Sequence, residues 1–178
     1  MPKAKKQSKT KARPRKKVRI AIIGAGGRAL TAHYPSLHAI PQADLVAVAD
    51  LDETRLHQAC DHYAIKGRYT DYRQMLDREK PDIVSVATQP EHRAEIVIAA
   101  AEAGARAIYA EKAFAASLAE ADRMVEACQQ HNIALNMGTN RRFDPGYDQM
   151  KAVIDSGQIG ALQNLIIHQT SSLFNGAT

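Results

Sequence analysis

Five strand-sized apolar runs recur along the chain, VRIAIIG (18–24), DLVAVAD (44–50), DIVSVA (82–87), ARAIYA (105–110) and NIALNMG (132–138), with helical patterns between them. Each run is apolar on both faces, as strands covered on both sides of a sheet must be. The intervening stretches are amphipathic: Leu56, Ala59, Cys60 and Tyr63 follow helical spacing, as do Leu118, Ala121, Val125 and Cys128. Ser117 and Glu120 form a capping box for the second of these helices, and Gly104 and Gly157 stand where helix C-caps belong. Strands alternating with helices imply βαβ crossovers, so the fold class is α/β with a doubly wound parallel sheet.

Charge divides the chain. Residues 1–19 hold ten Lys and Arg and no acid, whereas the other 159 hold 14 Lys and Arg against 19 Asp and Glu. The overall +5 therefore belongs to a tail, and the body is acidic. With no large apolar residue before Val18 apart from Met1, residues 1–16 are expected to be disordered. No aromatic interleaves the basic residues, which argues against specific nucleic-acid binding. The apolar run after the tail is broken by Arg28, so it fails as a secretory signal, and no segment reaches the ~18 apolar residues of a membrane span. Cys60 and Cys128 read as buried thiols, and the expected compartment is the cytoplasm. The histidines have no spacing that suggests a metal site.

The first run ends in Gly24-Ala25-Gly26-Gly27-Arg28-Ala29, which satisfies G-x-G-x-x-G/A directly after a strand and before a helix. Gly24 permits the turn, Gly26 lets a pyrophosphate approach the backbone, and Ala29 allows close helix–strand packing. The helix N-terminus offers free N–H groups to phosphate oxygens. Arg28 either adds charge there or points to solvent. Alone, this pattern also fits a bare glycine turn. Asp50 closes the second strand, 26 positions after Gly24, where a carboxylate accepts both ribose hydroxyls and repels a 2′-phosphate. Together the two features favour a dinucleotide, NAD over NADP, with NADP left open by Arg55, which can meet a phosphate.

Three polar loops follow the later strands: TQPEH (88–92), EKAF (111–114) and GTNRRF (138–143). Loops at these ends line the crevice of a doubly wound sheet.

These segments, in order, with NRRFDPGYDQMKAVIDSGQIGAL at 140–162, resemble the N-terminal half of the Gfo/Idh/MocA oxidoreductases. That family includes glucose–fructose oxidoreductase and inositol dehydrogenase. The resemblance implies a Rossmann domain at 17–140 that binds NAD(P), and the start of a second α/β domain at 141–178. It implies hydride transfer at a carbinol of a sugar or polyol. By position it makes Lys112 the catalytic lysine between nicotinamide and substrate, with Glu111 before it. It sets Thr88, Gln89 and Pro90 beside the nicotinamide ribose, His92 at the helix start, and Arg141 on a loop near the coenzyme. A lysine there polarises the substrate oxygen even when protonated.

The sequence departs from the family in two places. The family's proline after the lysine is Ala113 here, which leaves that turn less constrained. The family's Asp and His motif, whose His accepts the proton, lies in a second domain beyond Thr178. The expected protein is thus an oxidoreductase truncated here or completed by another polypeptide; the alternative is a non-catalytic dinucleotide-binding module in which Lys112 is idle. Residues 144–156 read as a helix and 161–173 as one long strand, whose unpaired edge would fray or pair with another chain.

Overall fold

The computed structural model describes residues 16–168. Its strands are β1 Val18–Ile23, β2 Ala43–Ala49, β3 Gly67–Tyr69, β4 Ile83–Val86, β5 Ala107–Ala110 and β6 Ala134–Met137. They form one parallel sheet in the order β3-β2-β1-β4-β5-β6. A π-helical turn, Ala29–His33, runs into α1 Tyr34–His38; α2 Glu53–His62, α3 Tyr72–Glu79, α4 Pro90–Glu102 and α5 Leu118–Gln130 complete the crossovers. The doubly wound α/β class read from the sequence is the class observed.

Successive residues of a strand point to opposite faces, and β1 shows it. Ala21 and Ile23 enter one core cluster with Met75 of α3 and Val97 of α4. Ile22 enters the other, with Ala29, Tyr34 of α1 and Leu56 of α2. Burying both faces is why β1 reads as an unbroken apolar run, whereas the edge strand β6, expected to be covered on both faces, is largely exposed.

Two sequence expectations shift. β3 was not anticipated, because Gly-Arg-Tyr carries no apolar run and pairs on one side only. Its glycine is required: a Cβ on Gly67 would lie 2.7 Å from the Ala47 Cβ and 2.8 Å from the Val46 carbonyl oxygen. On α5 the expected apolar face is rotated. Met124 and Cys128 are buried, while Leu118, in the first turn, is 85% exposed and Val125 is exposed. The Ser117 cap holds as read, with Oγ accepting from Glu120 N at 3.2 Å. Gly104 and Gly157, at φ +86° and +73°, follow α4 and the helix described next.

The chain divides into two compact units, one ending at Gly138 and one beginning at Thr139. Among its described residues the second holds a 3₁₀ turn, Asn140–Phe143, and α6 Pro145–Asp155, capped by Asp144 Oδ1, which accepts from Gly146 N at 2.9 Å. The strand expected over 161–173 does not form at 161–168, and the rest of it lies outside the described residues. A strand without a hydrogen-bonded neighbour gains too little to order its backbone. The basic tail also lies outside the described residues, Lys16 excepted. Among the described residues, no helix is long and apolar enough to cross a membrane.

Candidate functional site

Strand register puts the chemistry on one edge of the first unit. Ile23 at the end of β1 pairs with Ala49 of β2 and Val86 of β4, and Val86 with Ala110 of β5. Gly24, Asp50, Ala87 and Glu111 therefore leave the sheet at one level. The chain departs in opposite directions from β1 and β4, which opens a crevice between them. A cavity of about 530 Å³ lies there, with Gly24, Gly26, Asp50, Arg55, Thr88 and His92 in its wall. Its size is that of a small-ligand site.

The glycine turn is fixed from two sides. Gly24 has φ +107°, and a Cβ on it would lie 2.8 Å from the Ala87 carbonyl oxygen. Its carbonyl accepts from the buried Tyr34 hydroxyl at 3.3 Å. Nothing approaches the Cβ position of Gly26 closer than the Arg55 guanidinium, at 4.0 Å. Asp50 then ties this turn to its own loop: Oδ2 accepts from Ala25 N at 2.6 Å and Oδ1 from Asp52 N at 2.8 Å. Asp50 does not cap α2; Asp52 does, accepting from Arg55 N at 3.1 Å and from Arg55 Nε at 2.7 Å. Each Asp50 oxygen retains a free lone pair for a further donor.

Beyond β4, Gln89 stands at the N-cap of α4 with no side-chain bond to the helix, and Pro90 takes its first turn. The Thr88 hydroxyl is buried without a partner. Beyond β5, Lys112 is exposed and Glu111 is buried. Glu111 Oε1 accepts from Arg28 Nε at 3.0 Å and from His33 Nε2 at 3.1 Å. Gly138 gives it room, since a Cβ there would lie 3.0 Å from Oε1. Burial alone would raise the Glu111 carboxyl, but the bonds and charges of Arg28 and His33 outweigh it and hold the group below its ordinary value. Burial lowers His33, which keeps the ring neutral despite Glu111. An ionised Glu111 only accepts, so His33 Nε2 carries the proton, and the Ser85 hydroxyl donates to Nδ1 at 2.7 Å.

The cavity thus brings together Gly24, Gly26, Asp50, Arg55, Thr88, Gln89 and His92. Gly27 is exposed in the first helical turn with open space around it, and Ala29 is packed in the core. Arg28, read from the sequence as a phosphate contact or a solvent-facing group, is bonded through Nε to Glu111 and its side chain is 43% exposed. Arg141 belongs to the second unit, exposed on the turn Asn140–Phe143. Sequence reasoning missed Arg93, Ser85 and the part played by His33. No sequence signal marks Arg93, because the start of α4 also carries Glu91, His92 and Glu95. Among the described residues, no group of three His, Cys, Asp or Glu could hold a metal ion.

The residues present fit a dinucleotide. Open space over Gly26 admits a diphosphate, Asp50 has acceptor capacity left for a ribose, and Thr88, whose buried hydroxyl has no partner, belongs to the cavity wall.

Known proteins agree with this geometry. The chain is 33% identical over 143 residues to myo-inositol 2-dehydrogenase of Thermotoga maritima, covering 80% of this chain and 42% of that protein. The crystal structure of myo-inositol 2-dehydrogenase from Lactobacillus plantarum superposes with a TM-score of 0.76 at 32% identity, over 82% of this chain and 43% of that one. An oxidoreductase from Agrobacterium radiobacter, solved with NAD+, L-tartaric acid and magnesium, gives 0.76 at 30% identity, over 81% and 42%. The chain spans less than half the length of these relatives. Residues 18–139 match the Gfo/Idh/MocA family model, whose description is "Oxidoreductase family, NAD-binding Rossmann fold", and the chain belongs to that family.

Proposed function

We propose that this chain is the coenzyme-binding part of an NAD-dependent oxidoreductase that takes a hydride from a carbinol carbon of a sugar or polyol, or returns one to the corresponding carbonyl. The observation that carries the reading is Asp50, whose carboxylate is bonded to the glycine turn at Ala25 and stands in the wall of the cavity. A carboxylate held there accepts ribose hydroxyls and repels a 2′-phosphate, which favours NAD over NADP. The names of the relatives, inositol dehydrogenases among them, support the substrate class.

When bound, the nicotinamide would supply the hydride acceptor. The chain's own residues bind and orient. The backbone at Gly26 and the following helix N-terminus take the diphosphate, Asp50 the ribose, and Thr88, Gln89, Pro90 and His92 bound the far end. Lys112, exposed at the end of β5, polarises the substrate oxygen. The buried, unpaired thiols Cys60 and Cys128 support a reducing, cytoplasmic setting.

Calorimetry with NADH and NADPH tests the binding half of the proposal. NADH is expected to bind more tightly, and folded protein that gives no heat with either overturns it. Adding a family-type second domain should then give polyol-dependent NADH formation that Lys112→Ala abolishes. Binding with no turnover under any such condition leaves a binding module.

A further inference from the structure

We propose that Arg93 is a positioning residue that sets the nicotinamide end of the crevice, by tying the loop after β4 to the turn after β5 that carries Lys112. This rests on the coenzyme reading above. Arg93 is 1% exposed and heads the fully buried side chains by volume. It stands near the start of α4, where helical side chains lean toward the N-terminus, so its guanidinium reaches back over the strand ends. One terminal nitrogen donates to the Ala113 carbonyl and the other to the Thr88 carbonyl.

Packing does not account for it. A methionine would fill a similar space without taking a charge out of water, and among the described residues no carboxylate lies within ion-pair distance of Arg93. Glu111 and Glu91 act on it only at longer range. Its Nε has no partner. What the arginine adds is a rigid fork whose two prongs take carbonyls of two separate loops.

Those loops matter to the site. Thr88 belongs to the cavity wall, and Ala113 directly follows Lys112. That turn carries an alanine rather than a stiffer proline, and its carbonyl is held by a buried cation. Beyond the β4–β5 pairing, which ends with Glu111 N donating to the Val86 carbonyl, Arg93 adds a side-chain tie between the two loops.

The experiment compares NADH with ADP-ribose, the same molecule without its nicotinamide, on the full chain. Arg93→Met is expected to weaken NADH about tenfold while ADP-ribose stays within about twofold of wild type. Ala113→Pro in that background should recover part of the NADH affinity. Equal loss of both ligands, loss of neither, or no recovery by the proline overturns the proposal. If Arg93→Met does not fold, Arg93→Lys keeps the charge but cannot span both carbonyls, and the same split between ligands is required of it. Wild-type protein that binds neither ligand overturns the coenzyme reading, and this proposal with it. Wild-type binding with an even loss overturns this proposal alone.

Discussion

Glu111 Oε1 accepts from Arg28 Nε and His33 Nε2 at once, so one buried oxygen joins the π-helical turn after β1 to the end of β5. This joint is acid-sensitive. Burial keeps His33 below its ordinary 6.5, and Glu111 lies below its ordinary 4.5. Both folded-state values are depressed, so the unfolded chain binds more protons and stability falls as pH falls. The His33 contribution is complete above 6.5 and starts to be lost below it; that of Glu111 is complete above 4.5 and is lost through its own lower value. Thermal melts should therefore show a decline that begins as pH falls below 6.5 and that His33→Gln reduces, while the loss below 4.5 persists in the variant. Parallel wild-type and variant curves across the upper window count against a neutral buried His33.

Two glycines three residues apart should answer differently to alanine. Gly24→Ala forces a side chain into a backbone at φ +107° and against the Ala87 carbonyl at 2.8 Å. A loss of ~2 kcal/mol or more is expected in urea unfolding. Gly27→Ala meets nothing within 4 Å and lies in a helical turn, so it should be neutral or gain ~0.5 kcal/mol. A variant at Gly24 as stable as the one at Gly27 contradicts the close approach of β1's turn to β4.

How much of this was readable follows from what each feature depends on. A strand buried on both faces must be apolar throughout, so β1, β2, β4 and β5 show in the sequence; β6 shows by its apolar residues although it is a largely exposed edge strand. β3 does not, because its three residues depend on contact with β2 rather than on their own pattern. The residues at the strand ends were placed by motif position, but their pairing was not. A π-helical turn holds an extra residue per turn, and Arg28 and His33 flank or fill it, so their shared target cannot be read from α-helical spacing. The segment from Ala161 has the apolar pattern of a strand and lacks one through His168, since strand formation needs a partner that its own residues do not encode. Arg93 was passed over because a buried cation is defined by the carbonyls that receive it, and those belong to other loops.

Asp50→Ser tests the acidic end of the crevice. Serine removes the acceptor of Ala25 N and the charge that excludes a 2′-phosphate. Titration should show NADH affinity falling about tenfold or more, with NADPH falling less or rising, so that the preference narrows. Loss of the bond to the glycine turn should also cost ~1–2 kcal/mol in denaturant unfolding. An unchanged ratio of the two affinities removes Asp50 from the ribose site.

Arg55 decides between two phosphates. Its Nε is taken by Asp52 Oδ2 at 2.7 Å, which places Nη1 4.0 Å from where a Cβ on Gly26 would stand. The guanidinium thus hangs over the glycine turn, where a diphosphate common to both coenzymes would lie. Arg55→Ala should weaken NADH and NADPH by the same factor, about three- to tenfold at low salt and less at high salt, because the site is open to screening. Stability should change by no more than ~0.5 kcal/mol, since the Arg55 and Asp52 side chains are 56% and 38% exposed. Loss confined to NADPH would assign Arg55 to the 2′-phosphate and would mean that Asp52 does not hold it over Gly26 in the complex.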